Sequence, residues 1–264
     1  MTYLFDTHAH LMDEAFSSDY EEVLQRTLSQ TGAVMNVGCS FPDAKKALES
    51  AQAHSQIFAA LSLHPSDAYQ FNEEDWKSLA QAAEHPRVRA IGETGLDYHW
   101  DTSTKEQQYD VFVRHIELAK ALNKPLIIHD REAHRDSMDI LWGNQAEEIG
   151  GVFHAFSGSV EMMEELIDHN FYLGIGGVVT FKNAKTIKAV AQAVPLDRLL
   201  LETDCPYMTP TPFRGKRNEP AYTHYVAQSI AELRGMAYDD ILTITWENAC
   251  RFFKLNPNNL TPLS

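Results

Sequence analysis

A (β/α)₈ barrel is the fold class this sequence predicts, and three observations carry it. Short apolar segments alternate with longer amphipathic ones eight times along 264 residues. The repeat averages roughly 30 residues, the size of one βα unit in a barrel of about 250. The first apolar segment is not followed by the glycine-rich turn of a dinucleotide-binding open sheet, which favours closure over a doubly wound sheet.

The candidate strands are residues 4–8, 33–37, 58–63, 88–92, 125–129, 151–154, 171–176 and 198–203, each rich in branched and apolar side chains. Residues 105–122, 159–169 and 183–193 carry helical spacing, with Val111, Ile116, Ala119 and Leu122 along one such stretch. Strands separated by helix-sized crossovers run parallel. The tail reads as two further helices, 222–234 and 239–254, after a loop crowded with Pro206, Pro210, Pro212 and Pro220. No linker or low-complexity tract divides the chain, so residues 1–264 are expected to form a single domain.

Composition narrows the function classes. An apolar share of 44% with 22% charged residues is that of a water-soluble globular protein. Three widely spaced cysteines, Cys39, Cys205 and Cys250, point to a reducing compartment and not to a disulfide framework. The start, Met1 to Asp6, has neither a basic region nor a long apolar stretch, and no segment is long enough to cross a bilayer. A cytoplasmic monomer without membrane contact is the expectation. A net charge of −15 argues against gripping nucleic acid over a broad basic surface, but not against seizing phosphate locally with metals and a few arginines.

In a parallel barrel the chemistry sits at the C-terminal ends of the strands. His8 and His10 stand at that end of the first strand, His64 after the third, Glu93 at the fourth, His129 at the fifth, His154 at the sixth and Asp204 at the eighth. Each alone has a bland explanation, as a solvated histidine or a turn carboxylate; their joint placement does not. Residues two apart on a strand share a face, so both imidazoles of His8-Ala9-His10 can meet one ion. Asp6, on the same alternation, is placed to orient a ligand histidine. Glu93 can span two cations with its two oxygens. Asp97 reads as a loop or helix-start carboxylate. On the eighth strand Leu200, Glu202 and Asp204 alternate inward, with Asp204 at the mouth as ligand and proton acceptor, and Glu202 deeper, accepting a hydrogen bond from a ligand such as a histidine. Four histidines and two carboxylates suit Zn²⁺, Mn²⁺ or Co²⁺ better than Mg²⁺. Two such ions roughly 3.5–4 Å apart would clamp the attacking and leaving oxygens of an in-line displacement.

These residues lie in segments with a recognisable pattern: Phe5-Asp-Thr-His-Ala-His10, Leu63-His64-Pro65, Ile91-Gly-Glu-Thr-Gly-Leu-Asp97, Lys124-Pro-Leu-Ile-Ile-His129, His154-Ala-Phe-Ser-Gly158 and Leu201-Glu-Thr-Asp-Cys-Pro206. In this order and combination the chain resembles, essentially end to end, the TatD family of metal-dependent deoxyribonucleases within the amidohydrolase-like metal barrels. The resemblance implies one metal held by His8, His10, Glu93 and Asp204 and a second by Glu93, His129 and His154, with Glu93 as the bridge. It implies DNA as substrate, at ends or in single strands, and 3′ exonuclease action. The alternative is a small-molecule amidohydrolase, lactonase or phosphotriesterase. Many barrels of that kind bridge their metals with a modified lysine at the fourth strand, where this chain has Glu93. A non-catalytic metal or nucleic-acid binding protein is a third class, disfavoured by the complete ligand set.

Substrate-binding candidates surround these positions. His64 is placed to contact a phosphate or a leaving group. Arg131, Lys182, Arg214 and Arg217 lie in loops flanking the mouth, where a local basic cluster can receive a phosphate backbone; solvated or ion-paired loop charges are the commoner alternative. Tyr98, Trp100, Phe181 and Phe213 can stack bases or cover the core. His54, His85, His115, His169 and His224 fall in or beside presumed helices and read as surface or packing residues. Cys205 adjoins Asp204, with no motif marking it as a nucleophile.

Overall fold

The computed structural model describes residues 4–262; the start of the N-terminal stretch read above, Met1 to Tyr3, lies outside them. Eight parallel strands pair in chain order: β1 (Phe5–Ala9), β2 (Ala33–Gly38), β3 (Ile57–Leu61), β4 (Val88–Asp97), β5 (Leu126–Arg131), β6 (Gly151–Phe153), β7 (Phe171–Ile175) and β8 (Leu199–Leu201). The barrel closes where β1 meets the chain just beyond β8. There Ala9 bridges Cys205, the His10 amide donates to Cys205 O at 2.9 Å, and the Asp204 amide donates to His8 O at 2.9 Å.

The crossovers are α1 (Tyr20–Gln30), α2 (Phe41–Ala53), α3 (Glu73–Ala83), α4 (Lys105–Leu122), α5 (His134–Gly143), α6 (Val160–Asp168) and α7 (Lys185–Ala193), followed by α8 (Thr223–Arg234) and α9 (Tyr238–Phe252). Helix α4 spans the expected residues because its ends are specified locally. Thr104 and Gln107 form a reciprocal capping box, and Asn123 ends the helix in the left-handed region at φ 51°.

Strand alternation divides the apolar side chains into two layers. Val34, Leu61, Leu126, Ile128, Leu173, Leu199 and Leu201 pack outward with Ala47, Phe112, Ile116, Leu166, Val226 and Ile230 of the helices. Met35, Ala60, Ile127, Val152, Tyr172 and Leu200 form a second cluster with Phe5, Phe58, Trp246, Phe253 and Leu255. This second cluster is the barrel interior, closed at the end where the strands begin by the chain around the end of α9. Arg89 of β4 fastens that closure by donating to Phe253 O and Lys254 O at 2.8 and 2.7 Å. Strands buried on both faces explain the near-continuous apolar runs in the sequence.

Most strand limits fall within two residues of expectation, but β4 runs on to Asp97 instead of stopping at Gly92. Its register to β5 steps from Gly92↔Ile127 to Thr94↔Ile128, so Glu93 is an extra, unpaired residue in the ladder. Such a bulge re-aims a side chain while the strand continues. Gly92 permits it: its φ is +147°, and a Cβ there would lie 2.4 Å from Ile127 O. A similar register step between Asp6 and Ala9 in β1 sets the aim of His8.

Candidate metal centre

Glu93 lies at the middle of the cluster, and its two oxygens face different partners. Oε2 lies 3.0 Å from His8 Nε2 and 3.5 Å from His10 Nε2. Oε1 lies 2.6 Å from His129 Nδ1, 2.8 Å from His154 Nε2 and 3.5 Å from His64 Nε2. Asp204 completes the first group, its Oδ1 3.3 Å from His10 Nε2 and 3.8 Å from His8 Nε2. The nitrogens of His8 and His10 are 3.1 Å apart, and His129 Nδ1 is 3.3 Å from His154 Nε2. All six expected ligands therefore converge, as two groups sharing one carboxylate.

The donor atoms fit divalent cations. A cation held at about 2.1 Å by imidazole nitrogens separates neighbouring donors by about 3.0 Å in octahedral and about 3.4 Å in tetrahedral geometry. Most of the separations above fall in or near that range. His10 Nδ1 faces the Val37 carbonyl at 3.0 Å. A carbonyl only accepts, so Nδ1 carries the proton and Nε2 offers its lone pair to the cluster. His64 is the reverse case. Its Nδ1 accepts from the Ser66 amide at 3.1 Å, which leaves the proton of the neutral ring on Nε2, facing Glu93 Oε1. His64 Nε2 thus faces the cluster across 3.5 Å, beside Glu93 and His129.

Burial and mutual charge set the protonation of the cluster. Burial would raise Glu93, but the charges of His154 and His8 and hydrogen bonds from His129 and His154 hold it well below the usual carboxylate range. Burial opposes Asp204 ionisation too, and the His10 hydrogen bond with the charges of His154 and His8 outweighs it, so its pKa is lowered. His8 falls to about 4, through burial and the charge of His154. His129 rises to about 9: burial is overcome by hydrogen bonds to Asp97 and Glu93. Carboxylates held ionised beside a protonated His129 and a neutral His8 are a site in which an incoming cation displaces protons.

Asp97, read from sequence as a loop carboxylate, has two duties. Its Oδ1 accepts from the amides of His99 and Trp100 at 2.9 and 3.1 Å, and its Oδ2 accepts from His129 Nε2 at 2.8 Å. It therefore turns His129 Nδ1 toward Glu93. The alternation Glu93, Gly95, Asp97 was the signal for this, and it appears only if the strand is carried past Glu93. Cys39 was also missed. Its thiol points at Glu93 Oε2 from 3.5 Å and is pushed up to about 12 by burial, with the Glu93 charge second.

Three expectations are corrected. Asp6 does not orient a histidine ring; its carboxylate accepts from Thr203 N at 2.9 Å, Thr203 Oγ1 at 2.6 Å and the His8 amide at 3.3 Å. The β1 bulge separates its face from that of His8. Glu202 points inward as predicted but makes no hydrogen bond to a ligand. His154 Nδ1 stays 3.8 Å from Oε1, which takes the Ala155 amide instead, because the chain turns sharply at Ala155 (φ 43°) just beyond β6. Gly174 of β7 leaves room for this acid, since a Cβ there would lie 2.1 Å from Glu202 Oε2 and the carboxylate would have to shift. Arg217 is not available at the mouth. It pairs with Asp19 at 2.6 Å and Glu219 at 3.4 Å, and stacks over Phe16 at 4.7 Å.

The other rim candidates divide. Exposed Arg131 sits 5.7 Å over the Trp100 ring, itself 54% exposed, and exposed Arg214 sits 4.0 Å over Phe181. Lys182 is exposed beside Phe181. Tyr98 is engaged by Asp136 and by Lys105 over its ring, and Phe213 stacks on Tyr222 at 4.8 Å, so both serve packing. Tyr207 was not anticipated. It is 55% exposed in the loop after β8, with its ring 6.4 Å from His10. Of the histidines assigned to packing, His115 is fully buried in α4, and His169 stacks on Trp142 at 4.1 Å.

Among the described residues no helix is long and apolar enough to cross a membrane. Comparison with known proteins agrees with the geometry. Residues 5–254 match the family model described as TatD related DNase. The metal-dependent hydrolase YabD of Bacillus subtilis is 49% identical over 254 residues, covering 96% of this chain and 100% of that protein. The 3'-5' ssDNA/RNA exonuclease TatD of Shigella flexneri is 31% identical, over 88% of this chain and 92% of that protein. The crystal structure of YJJV, a TatD homologue from Escherichia coli, superposes with a TM-score of 0.90 at 31% identity, covering 97% and 99% of the two chains. This chain belongs to the TatD family and is a metal-dependent hydrolase.

Proposed function

We propose that the chain is a deoxyribonuclease that removes nucleotides from 3′ ends of DNA, with two divalent cations held by His8, His10, Glu93, His129, His154 and Asp204. The observation that carries this reading is Glu93, whose two oxygens are divided between two histidine groups. Nitrogen-rich donors favour Zn²⁺, Mn²⁺ or Co²⁺. When bound, such ions supply positive charge that acidifies water and offsets the charge growing on a phosphoryl group. The chain's own residues do the rest. Asp204, ionised and at the mouth, accepts the proton of the attacking water. His64 presents its Nε2 proton toward the phosphate or the departing oxygen. Trp100 with Arg131 and Phe181 with Arg214 offer stacking faces and cationic charge to the strand end. The Shigella relative named as a 3'-5' exonuclease supports the polarity. Three free cysteines accord with the cytoplasm as its place of work, and we propose a monomer.

The test is a substrate panel of single-stranded DNA, duplex DNA, RNA, a phosphotriester, a lactone and an amide, each with and without added Mn²⁺ or Mg²⁺. Metal-dependent release of mononucleotides from DNA 3′ ends is the expected result. Turnover confined to the lactone, amide or phosphotriester would replace the nuclease reading with a small-molecule hydrolase. Elemental analysis of saturated protein with anomalous scattering should give two ions per chain. One ion at saturation, with His129 and His154 turned away, would remove the two-metal site.

A further inference from the structure

A cavity of about 690 Å³ opens at the end of the barrel where the strands begin. It lies remote from the metal ligands. Arg89 is the second residue of β4, and Lys124 and Pro125 directly precede β5, whereas Glu93 and His129 lie further along those strands. The opposite wall is the chain at the end of α9 and just after it.

Four cations line this cavity, Arg89, Lys124, Arg251 and Lys254, against one carboxylate, Glu247. In a chain of net charge −15 that is a local inversion of sign. Every hydrogen bond the four make within the described residues ends on a neutral oxygen. Arg89 donates to the Phe253, Lys254 and Pro86 carbonyls. Lys124 donates to the Ala83 and His85 carbonyls, and Lys254 to Asn123 O and Oδ1. Arg251 donates to Tyr172 Oη, Asp197 O and Asn248 Oδ1. Arg87 and Arg234 likewise donate to carbonyls, but singly; exposed cations such as Lys120 and Arg114 pair with Glu148 and Glu73, and here four cations unpaired among the described residues line one cavity.

The hydrogen bonds hold the cations in place without neutralising them. An ammonium has three donors and a guanidinium five, so each of the four keeps at least one N–H for a ligand. Burial and the charge of Arg89 lower Lys124 to about 8, with Glu84 opposing, as expected where positive charges are crowded. An anion placed among them would relieve that repulsion.

We propose that this cavity is an anion site for a small phosphate-bearing ligand, either inorganic phosphate or a nucleoside monophosphate. A phosphate dianion offers several acceptor oxygens to the N–H groups left over, and a guanidinium fork matches them. The volume lies within the range of about 300–1,000 Å³ usual for small-molecule sites, enough for a nucleotide. The proposal does not depend on the reaction at the metal centre.

Lysine acylation followed by mass spectrometry tests it on the metal-loaded, full-length protein. The probes are inorganic phosphate and 5′-dAMP, with sodium chloride at matched ionic strength as control. Lys124 and Lys254 should be protected at least threefold by both phosphate compounds, with exposed Lys45 and Lys77 unchanged. A lower protection midpoint with 5′-dAMP identifies the nucleotide as ligand; equal midpoints identify the phosphate alone. Arg251→Met, on an exposed side chain, should raise the midpoint for Lys124 at least tenfold, and Lys254→Met should do the same. Uniform protection of all lysines, protection only of Lys182 and Lys216 at the other end of the barrel, or an unchanged midpoint in both variants would overturn the proposal.

Discussion

Asp97→Asn tests whether a residue that touches no metal decides how one is held. In the native chain Asp97 Oδ1 accepts from two amides and Oδ2 accepts from His129 Nε2 at 2.8 Å. With the substitution, the amide oxygen remains on the backbone N–H pair and the NH₂ group faces His129 Nε2. That nitrogen must then accept, and the ring proton moves to Nδ1, the atom 2.6 Å from Glu93 Oε1. A protonated Nδ1 has no lone pair for a cation. Loss of such an orienting partner typically costs about 10–100-fold in metal affinity, or about 1.4–2.8 kcal/mol. The loss should be confined to the cation between Glu93, His129 and His154, because His8, His10 and Asp204 do not contact Asp97. Calorimetric titration of metal-free protein with Mn²⁺ or Zn²⁺, resolved into two sites, measures it. Thermal unfolding in chelator verifies that the variant is folded. Wild-type affinity at both sites, or equal weakening of both, would refute the reasoning.

Asp204→Asn keeps a residue type that tolerates the left-handed backbone found there, φ 55°, so it should fold and still bind metal at Glu93. Its kcat should fall about 10²–10⁴-fold; a fully metallated variant with near-native kcat would remove the proton-acceptor role. Trp100→Ala, Arg131→Ala and Arg214→Ala should raise KM several-fold with little change in kcat, and the two arginine variants should also flatten the salt dependence of DNA binding. Arg217→Ala should instead lower Tm, since its partners are Asp19 and Glu219; unchanged KM in the first three would leave them as surface residues. His115 is buried with a pKa lowered to about 4, so the unfolded chain takes up its proton first as pH falls. Its contribution to stability is complete above about 6.5 and shrinks as pH drops toward 4, a loss of about 3 kcal/mol. Urea unfolding at pH 7 and pH 4 should show that extra loss in the native chain relative to His115→Gln, and equal losses would contradict it.

The barrel was legible because strands buried on both faces cannot hide their composition, and helices such as α4 carry their own stop signals. The cluster of six candidate ligands was legible because each stands in the C-terminal half of a strand or just past its end. What escaped depended on the bulge at Glu93, which no periodicity announces. Strict alternation ends β4 at Gly92 and hides Asp97; it also puts Asp6 on the ligand face, although the register step in β1 moves it off. Arg217 was misread for a different reason: Asp19, its carboxylate partner, lies 198 residues away and meets it only once the barrel has closed. Glu202 shows the remaining difficulty. Alternation gave its direction, but the choice between a ring and a backbone amide turned on how the chain bends at Ala155.

The join between the two ends of the barrel carries a consequence for the order of events in synthesis. Thr7 Oγ1 donates to Leu201 O across 194 residues, Asp6 holds Thr203, and His8 and His10 exchange backbone bonds with Asp204 and Cys205. His8, His10 and Asp204 stand on the two sides of that join, whereas Glu93, His129 and His154 come from three successive strands. A growing chain gathers the second set as soon as β6 has emerged; the first must wait for β8 and the closing of the ring. A cation held by the first set, as proposed, would then act as a rivet through the last joint to form. At a free concentration one hundred times its dissociation constant it would add about 2.7 kcal/mol against opening. Chelation would therefore loosen the circle at one place, and amide exchange would quicken first at residues 6–10 and 203–205.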